Sequence, residues 1–381
     1  MSLPLLVFLG LWLLNWAILG WGTWLAFKQL RKTPEENPAA NLPPVSILKP
    51  LKGADEGLTE NLQSFFNQNY PKYEILFSVT DPGDPAIPVV EKLMSQYPLV
   101  NAKLHCFPQA MGPNPKINNL MTAYEEAQND IVLISDSNIR VKADYLLHLV
   151  PDLKDSVGII TAVVAGISPS GLGGWLEASY LNTFFARWMV LTKKLGFPSV
   201  VGKSMVFRKT HLKRVGGLSN LAHYIAEDYM AGHAMEKLDL KIEFMRSPIE
   251  QYIGVYSYEQ FWGRHLRWGR IRKSIAPFAF LIEPLFFSTV SGFLGAWALS
   301  SLFGASFFQL WILHMIFWAF CDALIYQIMD RFSLKAMGAW FIRECLAPVL
   351  WFSILSGNTV FWRGREYKIL QGGLLAKGPL V

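Results

Sequence analysis

Several short stretches of this chain carry side chains that could bind a phosphate, hold a cation or move a proton. In IVLISDSN (131–138), four apolar residues run into a serine, a carboxylate, a hydroxyl and an amide. Asp136 and Asn138, two positions apart, can both reach one hard divalent cation, and Mg2+ or Mn2+ would then bridge to a diphosphate. The same residue types suit a turn, but their place after a wholly apolar strand favours the ligand reading. KPLKGAD (49–55) brings Lys49 and Lys52 to the end of another apolar run, where they could meet phosphates; taken alone, a solvated turn explains them as well. FSVTDPGDP (77–85) offers Asp81 just past a strand, as an acceptor for a base or ribose or as part of a Pro/Gly turn with Asp84.

Two further stretches lie later. YIAEDYMAGHAMEKL (224–238) puts Glu227 and Asp228 where a helix begins. Acids there complement the helix dipole, and a single carboxylate in a pocket wall is also what a general base requires. In GRHLRWGRIRK (263–273), helical spacing puts Arg264 and Arg267 on one face with Trp268 beside them. Paired guanidinium groups can clamp a departing diphosphate; a juxtamembrane basic cluster with an interface tryptophan accounts equally well for the same residues.

These groups need a scaffold. VSILK (45–49), EILFSV (74–79), AKLHC (102–106) and IVLIS (131–135) read as short buried strands, separated by the helical patterns LTENLQSFFNQ, AIPVVEKLMSQY and INNLMTAYEEAQ. Alternation of this kind predicts an α/β domain with a mainly parallel sheet, whose ligands bind beyond the strands' carboxyl ends.

The chain of 381 residues is 52% hydrophobic and only 17% charged, with 14 Trp and 26 Phe, too apolar for an ordinary soluble enzyme. Residues 3–27 carry no charge, and neither do residues 284–321, which a break near Gly304 divides into two candidate spans. The first run lacks a basic leader and a small-x-small cleavage site, and reads as an uncleaved anchor. Lys28, Arg31 and Lys32 after it, and the basic 264–273 cluster before the next, orient the intervening domain to the cytoplasm. AWFIRECLAPVLWFSIL (339–355), with Arg343 and Glu344 inside it, suits an interfacial or re-entrant helix. The expected organisation is an anchor at 1–28, a linker at 29–44, a cytoplasmic domain at 45–275, a two-span hairpin at 276–329, and an interfacial or re-entrant helix with a basic tail at 330–381. The net charge of +6 sits largely in the juxtamembrane clusters, poised against anionic lipid, and no nucleic-acid module is present. Cys106, Cys321 and Cys345 lack metal or redox spacing.

The sequence contains no P-loop, no GxGxxG after the first strand and no GxSxG elbow. The order Asp81, DSN, ED and RHLRW resembles the D, D, D, (Q/R)xxRW series of processive-type glycosyltransferases. More closely, SILKPLKGAD, YPKYEILFSVTDPGDPAI, NPKINNLMTAYEEA, ISDSNIRV, YIAEDYMAGHA, RHLRW and WFIRE (340–344) resemble the ceramide glucosyltransferases, glycosyltransferase family 21, together with related bacterial hopanoid glycosyltransferases. The resemblance implies a GT-A fold, a UDP-sugar donor, a divalent metal (Mg2+ or Mn2+), a membrane-lipid acceptor and inversion at the anomeric carbon. By position, Asp81 and Lys52 would serve the donor, and Asp136 with Asn138 the metal and diphosphate. Asp228 would be the base, and Arg264, Arg267 and Trp268 would close over the diphosphate and acceptor. Two departures stand out: Asn138 occupies the third position of the usual D-x-D, and Arg264 stands where polymer synthases carry Gln. UDP-glucose and ceramide are the expected substrates, with N-acetylglucosamine transfer to a hopanoid polyol, hexose transfer to diacylglycerol and a non-catalytic scaffold as alternatives. A transporter is disfavoured because the spans are expected to lack relay acids.

Overall fold

The computed structural model describes residues 3–31 and 42–376, so most of the expected linker lies outside the described residues. The strands are β1 (Val45–Pro50), β2 (Tyr73–Ser78), β3 (Asn101–His105), β4 (Ile131–Ser135), β5 (Ile139–Arg140), β6 (Val157–Thr161), β7 (Val164–Ser170), β8 (Ser204–Arg208), β9 (Lys241–Phe244), β10 (Ile249–Val255), β11 (Thr359–Trp362) and β12 (Arg365–Lys368). The main sheet has seven strands in the order β3-β2-β1-β4-β8-β6-β9. β1 is parallel to β2 and β4, whereas β8 runs against both β4 and β6. β5, β10 and β7 form a second, three-stranded sheet.

The apolar runs become central strands because both sheet faces are covered. Val45, Ile47, Ile75 and Phe77 enter one core, and the alternate Leu48, Leu76, Val132 and Ile134 enter the other. Strand order reverses between β1 and β4, which opens a crevice beyond their carboxyl ends. The helices expected after β1, β2 and β3 form at Leu58–Phe66, Ala86–Gln96 and Pro115–Glu126. The third starts sharply: Asn114 Oδ1 accepts from the backbone N–H of Lys116 at 2.8 Å and of Ile117 at 3.2 Å, with Pro115 supplying the fixed φ of the first turn.

Three helices, Leu3–Leu30, Phe307–Ile328 and Leu334–Leu355, are long and apolar enough to cross a membrane. The first arm of the expected 276–329 hairpin is broken: Pro277–Phe286 and Ser288–Phe303 meet at 61°. Pro284 lacks a helical N–H donor, and Glu283 is tied by a 2.8 Å ion pair to Arg272 of the Tyr258–Ile275 helix, so the short piece stays with the sheet domain. Leu334–Leu355 begins earlier than the 339–355 stretch suggested, and both its ends touch the sheet domain. Arg331 pairs with Glu250 just before it, and Lys273 Nζ donates to the carbonyls of Ile354, Leu355 and Gly357 at 3.0, 3.2 and 2.6 Å after it. Gly269 permits that contact, since a Cβ there would lie 2.1 Å from Ile354.

Phe307–Ile328 contains one acid, Asp322, and it is paired: Arg187 forms an ion pair with it, and Trp340 Nε1 donates to it at 2.5 Å. Arg343 and Glu344 are likewise buried and paired with each other. Arg343 also donates to Ser179 O and Thr183 Oγ1, both at 2.8 Å, where the helix carrying them widens to π geometry over Tyr180–Phe185.

Candidate active site

The crevice beyond β1 and β4 holds a cluster of acids and lysines. Lys49, at the end of β1, is fully buried; its Nζ donates to Ser135 Oγ at 3.3 Å and to Asp136 O at 2.6 Å, so it braces the end of β4 and faces no ligand. Asp136 turns its carboxylate into the crevice, where Lys116 Nζ lies 3.0 Å from Oδ1 and Lys203 Nζ 2.9 Å from Oδ2. Burial opposes ionisation, but those two ammonium groups outweigh it and hold the Asp136 carboxyl far below the usual range. Lys203 also donates to Asn138 Oδ1 at 3.1 Å. The two residues expected to share a cation therefore converge on one positive charge.

Lys116 links this shelf to the second acidic pair, with Glu227 Oε1 at 2.8 Å. A lysine in the first turn of a helix works against its dipole; here burial also opposes its charge, and Asp136, Glu227 and Asp228 overcome both and raise its pKa. Glu227 and Asp228 open the helix Glu227–Glu236. Asp228 Oδ2 accepts from Gly202 N and Oδ1 from Tyr229 N, both at 2.8 Å, which leaves lone pairs on each oxygen. Burial and the neighbouring Glu227 charge push the Asp228 carboxyl up to about 6, partly offset by Lys116 and the two N–H groups. A carboxylate in that range suits proton abstraction near neutral pH.

Arg264 and Arg267 lie on the amphipathic helix Tyr258–Ile275, started by a capping box of Ser257 and Gln260. Fully buried Glu177 holds Arg264 at 2.9 Å and His265 at 2.8 Å. Burial disfavours its charge, yet these partners bring Glu177 down to about 2. Arg264 lies over the rings of Tyr256 and Trp268, 5.0 and 5.7 Å from their centroids. Trp268 itself packs on Phe185 and Tyr180 and supports the arginine from behind. Arg267 faces the Trp362 ring at 5.9 Å; burial and the Arg264 charge lower it to about 10, still cationic at neutral pH.

Asp81 and Lys52 stand apart from the acid–lysine cluster. Asp81 is exposed on the turn after β2, where Oδ1 accepts from Gly83 N at 2.9 Å. Lys52 Nζ donates to the carbonyl of Arg363, far along the chain, at 2.9 Å. Asp84 ties the two loops, accepting from Gly53 N at 2.9 Å. Sequence reasoning missed Lys116, Lys203, Glu177 and Arg363. Only Lys116 carried a local signal: a basic residue in the first turn of an Asn-Pro-capped helix.

A mixed sheet with an acidic shelf at its reversal point, a half-buried carboxylate near pH 6 and an arginine pair can be set beside known proteins. The sequence profile of glycosyl transferase family 21 matches residues 10–375. The chain belongs to glycosyl transferase family 21. It is 33% identical over 356 residues to ceramide glucosyltransferase 3 of Caenorhabditis elegans, covering 92% of this chain and 78% of that one. To the ceramide glucosyltransferase of Komagataella phaffii it is 28% identical over 418 residues, covering 85% and 82%. Among solved structures, the mannosyltransferase PcManGT of Pyrobaculum calidifontis, in complex with GDP-Man and Mn2+, aligns with a TM-score of 0.52 at 17% identity, covering 91% of this chain and 99% of that one. That likeness gives the family 21 chain a GT-A fold, and family membership makes it a hexosyltransferase.

Proposed function

We propose that this family 21 enzyme transfers glucose from UDP-glucose to the primary hydroxyl of ceramide, with inversion, at the cytoplasmic face of a membrane. The observation that carries the reading is Asp228, half-buried, pushed up to about 6 and joined through Glu227 and Lys116 to the Asp136 shelf. Asp228 takes the hydroxyl proton as that oxygen attacks the anomeric carbon. The bond from that carbon to the diphosphate oxygen breaks, its electron pair leaving with UDP. Negative charge grows on the departing diphosphate, and Arg264 and Arg267 offset it from the helix above. Asp81, open to solvent beyond β2, is free to accept from the uridine end.

The strand-end donor set suits a hard cation: one carboxylate and one amide oxygen already converge on the ammonium of Lys203. Asp136 and Asn138 would hold Mg2+ or Mn2+, with Lys203 displaced. When bound, the metal supplies charge at the diphosphate.

Support for a lipid acceptor comes from the membrane side. A cleft beside His265 is lined mainly by apolar side chains, Tyr180, Phe184, Phe287, Leu350 and Trp351 among them, which brings apolar surface up to the arginine helix. The paired Arg272, Glu283, Arg343 and Glu344 also stand in its wall. The basic residues after the first apolar helix and before the broken one support a cytoplasmic domain.

The test is UDP release by detergent-purified protein with Mg2+ or Mn2+. UDP-glucose and UDP-N-acetylglucosamine are each offered with ceramide, diacylglycerol or a hopanoid polyol, and Asp228→Asn serves as the blank. Release that requires UDP-glucose and ceramide together is expected. Release with another pair would keep the mechanism and change the substrates, and a wild type no better than the blank would overturn the reading.

A further inference from the structure

The β11–β12 hairpin, TVFWRGREYK (359–368), arrives from the far end of the last apolar helix and folds back over the mouth of the crevice. Its two-residue turn is Arg363-Gly364, with φ of 52° and 81°. A tight hairpin turn with both central residues left-handed is normally built from Asn-Gly or Gly-Gly. Arginine has a Cβ that disfavours this conformation, so something other than turn chemistry accounts for it here.

The turn has clear neighbours. Lys52 Nζ donates to the Arg363 carbonyl at 2.9 Å, and Arg267 and Arg363 approach the Trp362 ring at 5.9 and 5.8 Å. Arg270 Nη1 anchors the hairpin by donating to Thr359 O at 2.5 Å. Among the described residues, none of Lys52, Arg267 and Arg363 has a carboxylate within ion-pair distance, whereas Asp136 and Glu227 are already matched by Lys116 and Lys203. Burial lowers the Arg363 pKa, and the acids that oppose this are Asp136, Glu227 and Asp84, so its charge is felt inside the crevice. Three cations from three distant parts of the chain thus gather at one opening, near acids but with none of the three in an ion pair among the described residues. A multiply charged anion is what completes such an arrangement.

We propose that Arg363, presented by the hairpin turn, is a diphosphate-binding residue that joins Arg267 and Lys52 around the donor. This rests on the nucleotide-sugar reading above. The left-handed arginine is then strained for binding, since guanidinium reach is exchanged for turn stability.

Titration calorimetry on the full-length protein in detergent, with UDP and with uridine, tests this. Arg363→Ala should weaken UDP binding by about tenfold or more, while uridine changes less than about threefold. Arg365→Ala, on the exposed side of the same turn, should leave UDP within about twofold. Arg363→Gly is the decisive variant: glycine suits the left-handed turn, so the melting temperature should hold or rise while UDP affinity falls as in Arg363→Ala. Undiminished UDP affinity in Arg363→Gly would overturn the assignment, as would equal losses for UDP and uridine. A wild type that binds neither UDP nor uridine would instead bring down the donor reading, and the inference with it.

Discussion

Two buried ionic clusters, one in the crevice and one among the apolar helices, are built to different ends. On the membrane side, Arg187, Asp322, Arg343 and Glu344 are at most 7% exposed, every charge has an opposite partner, and Thr23, Ser288 and Trp340 take up further hydrogen bonds. This satisfied network ties the N-terminal helix, the last two apolar helices and the sheet domain together. In the crevice, Lys116 serves two acids at once, and among the described residues Asp228, Lys52, Arg267 and Arg363 form no ion pair. Complete pairing makes a joint, whereas incomplete pairing leaves groups able to exchange protons and bind charge.

The contrast can be broken most forcefully at Asp228, the proposed base. Asp228→Asn should cut kcat by about a hundred- to ten-thousandfold with an unchanged melting profile, since the amide keeps the shape and loses the basicity. The membrane-side cluster should behave in the opposite way. Asp322→Ala strands Arg187 and is expected to cost about 3–5 kcal/mol of stability, seen as lost detergent-stable protein, while the folded remainder turns over normally. A large drop in kcat per folded molecule would show that the two clusters are not separate. Lys116→Met sharpens the comparison within the crevice. Because Lys116 counteracts the upward push on Asp228, its loss should move the acid limb of the kcat/KM profile to higher pH and lower activity at neutral pH by about tenfold. In the wild type that limb should lie near pH 6, activity falling as pH drops through it because protonated Asp228 no longer accepts the hydroxyl proton. Glu177→Gln should have the mildest effect, raising KM for the nucleotide sugar by about threefold with kcat nearly kept, since Gln still orients Arg264 and His265 without the charge. A kcat effect as large as that of Asp228→Asn would assign Glu177 to the chemistry itself.

What the sequence made legible followed from local rules. β1 to β4 and the helices between them announce themselves because buried parallel strands are short apolar runs, and DSN and ED mark positions where a strand ends and a helix starts. The second half of the domain was harder. β8 enters the sheet in reverse, so Lys203 reaches Asp136 across a strand pairing that no spacing in the chain encodes. Glu177 lies in an apolar-looking helix, and only its meeting with RHLRW gives it a purpose. The WFIRE pair looked awkward near a span, and Asp322 went unremarked, because their partners come from Arg187, Ser179 and Ser288, all distant in sequence. The break at Phe287 had a local cue in Pro284, but the tie between Glu283 and Arg272 that fixes it is tertiary.

The segment just before Glu227 is clasped by residues synthesised much later: Ile225 N donates to Gly373 O at 3.0 Å, and Leu375 N to His223 O at 2.9 Å. A nascent chain emerging from the ribosome therefore has its sheet and its acids long before it has this clasp or the hairpin above the crevice. The helix start that carries Glu227 and Asp228 is thus completed only by residues that lie beyond the apolar helices in sequence, and a chain ending before Gly373 would lack this clasp.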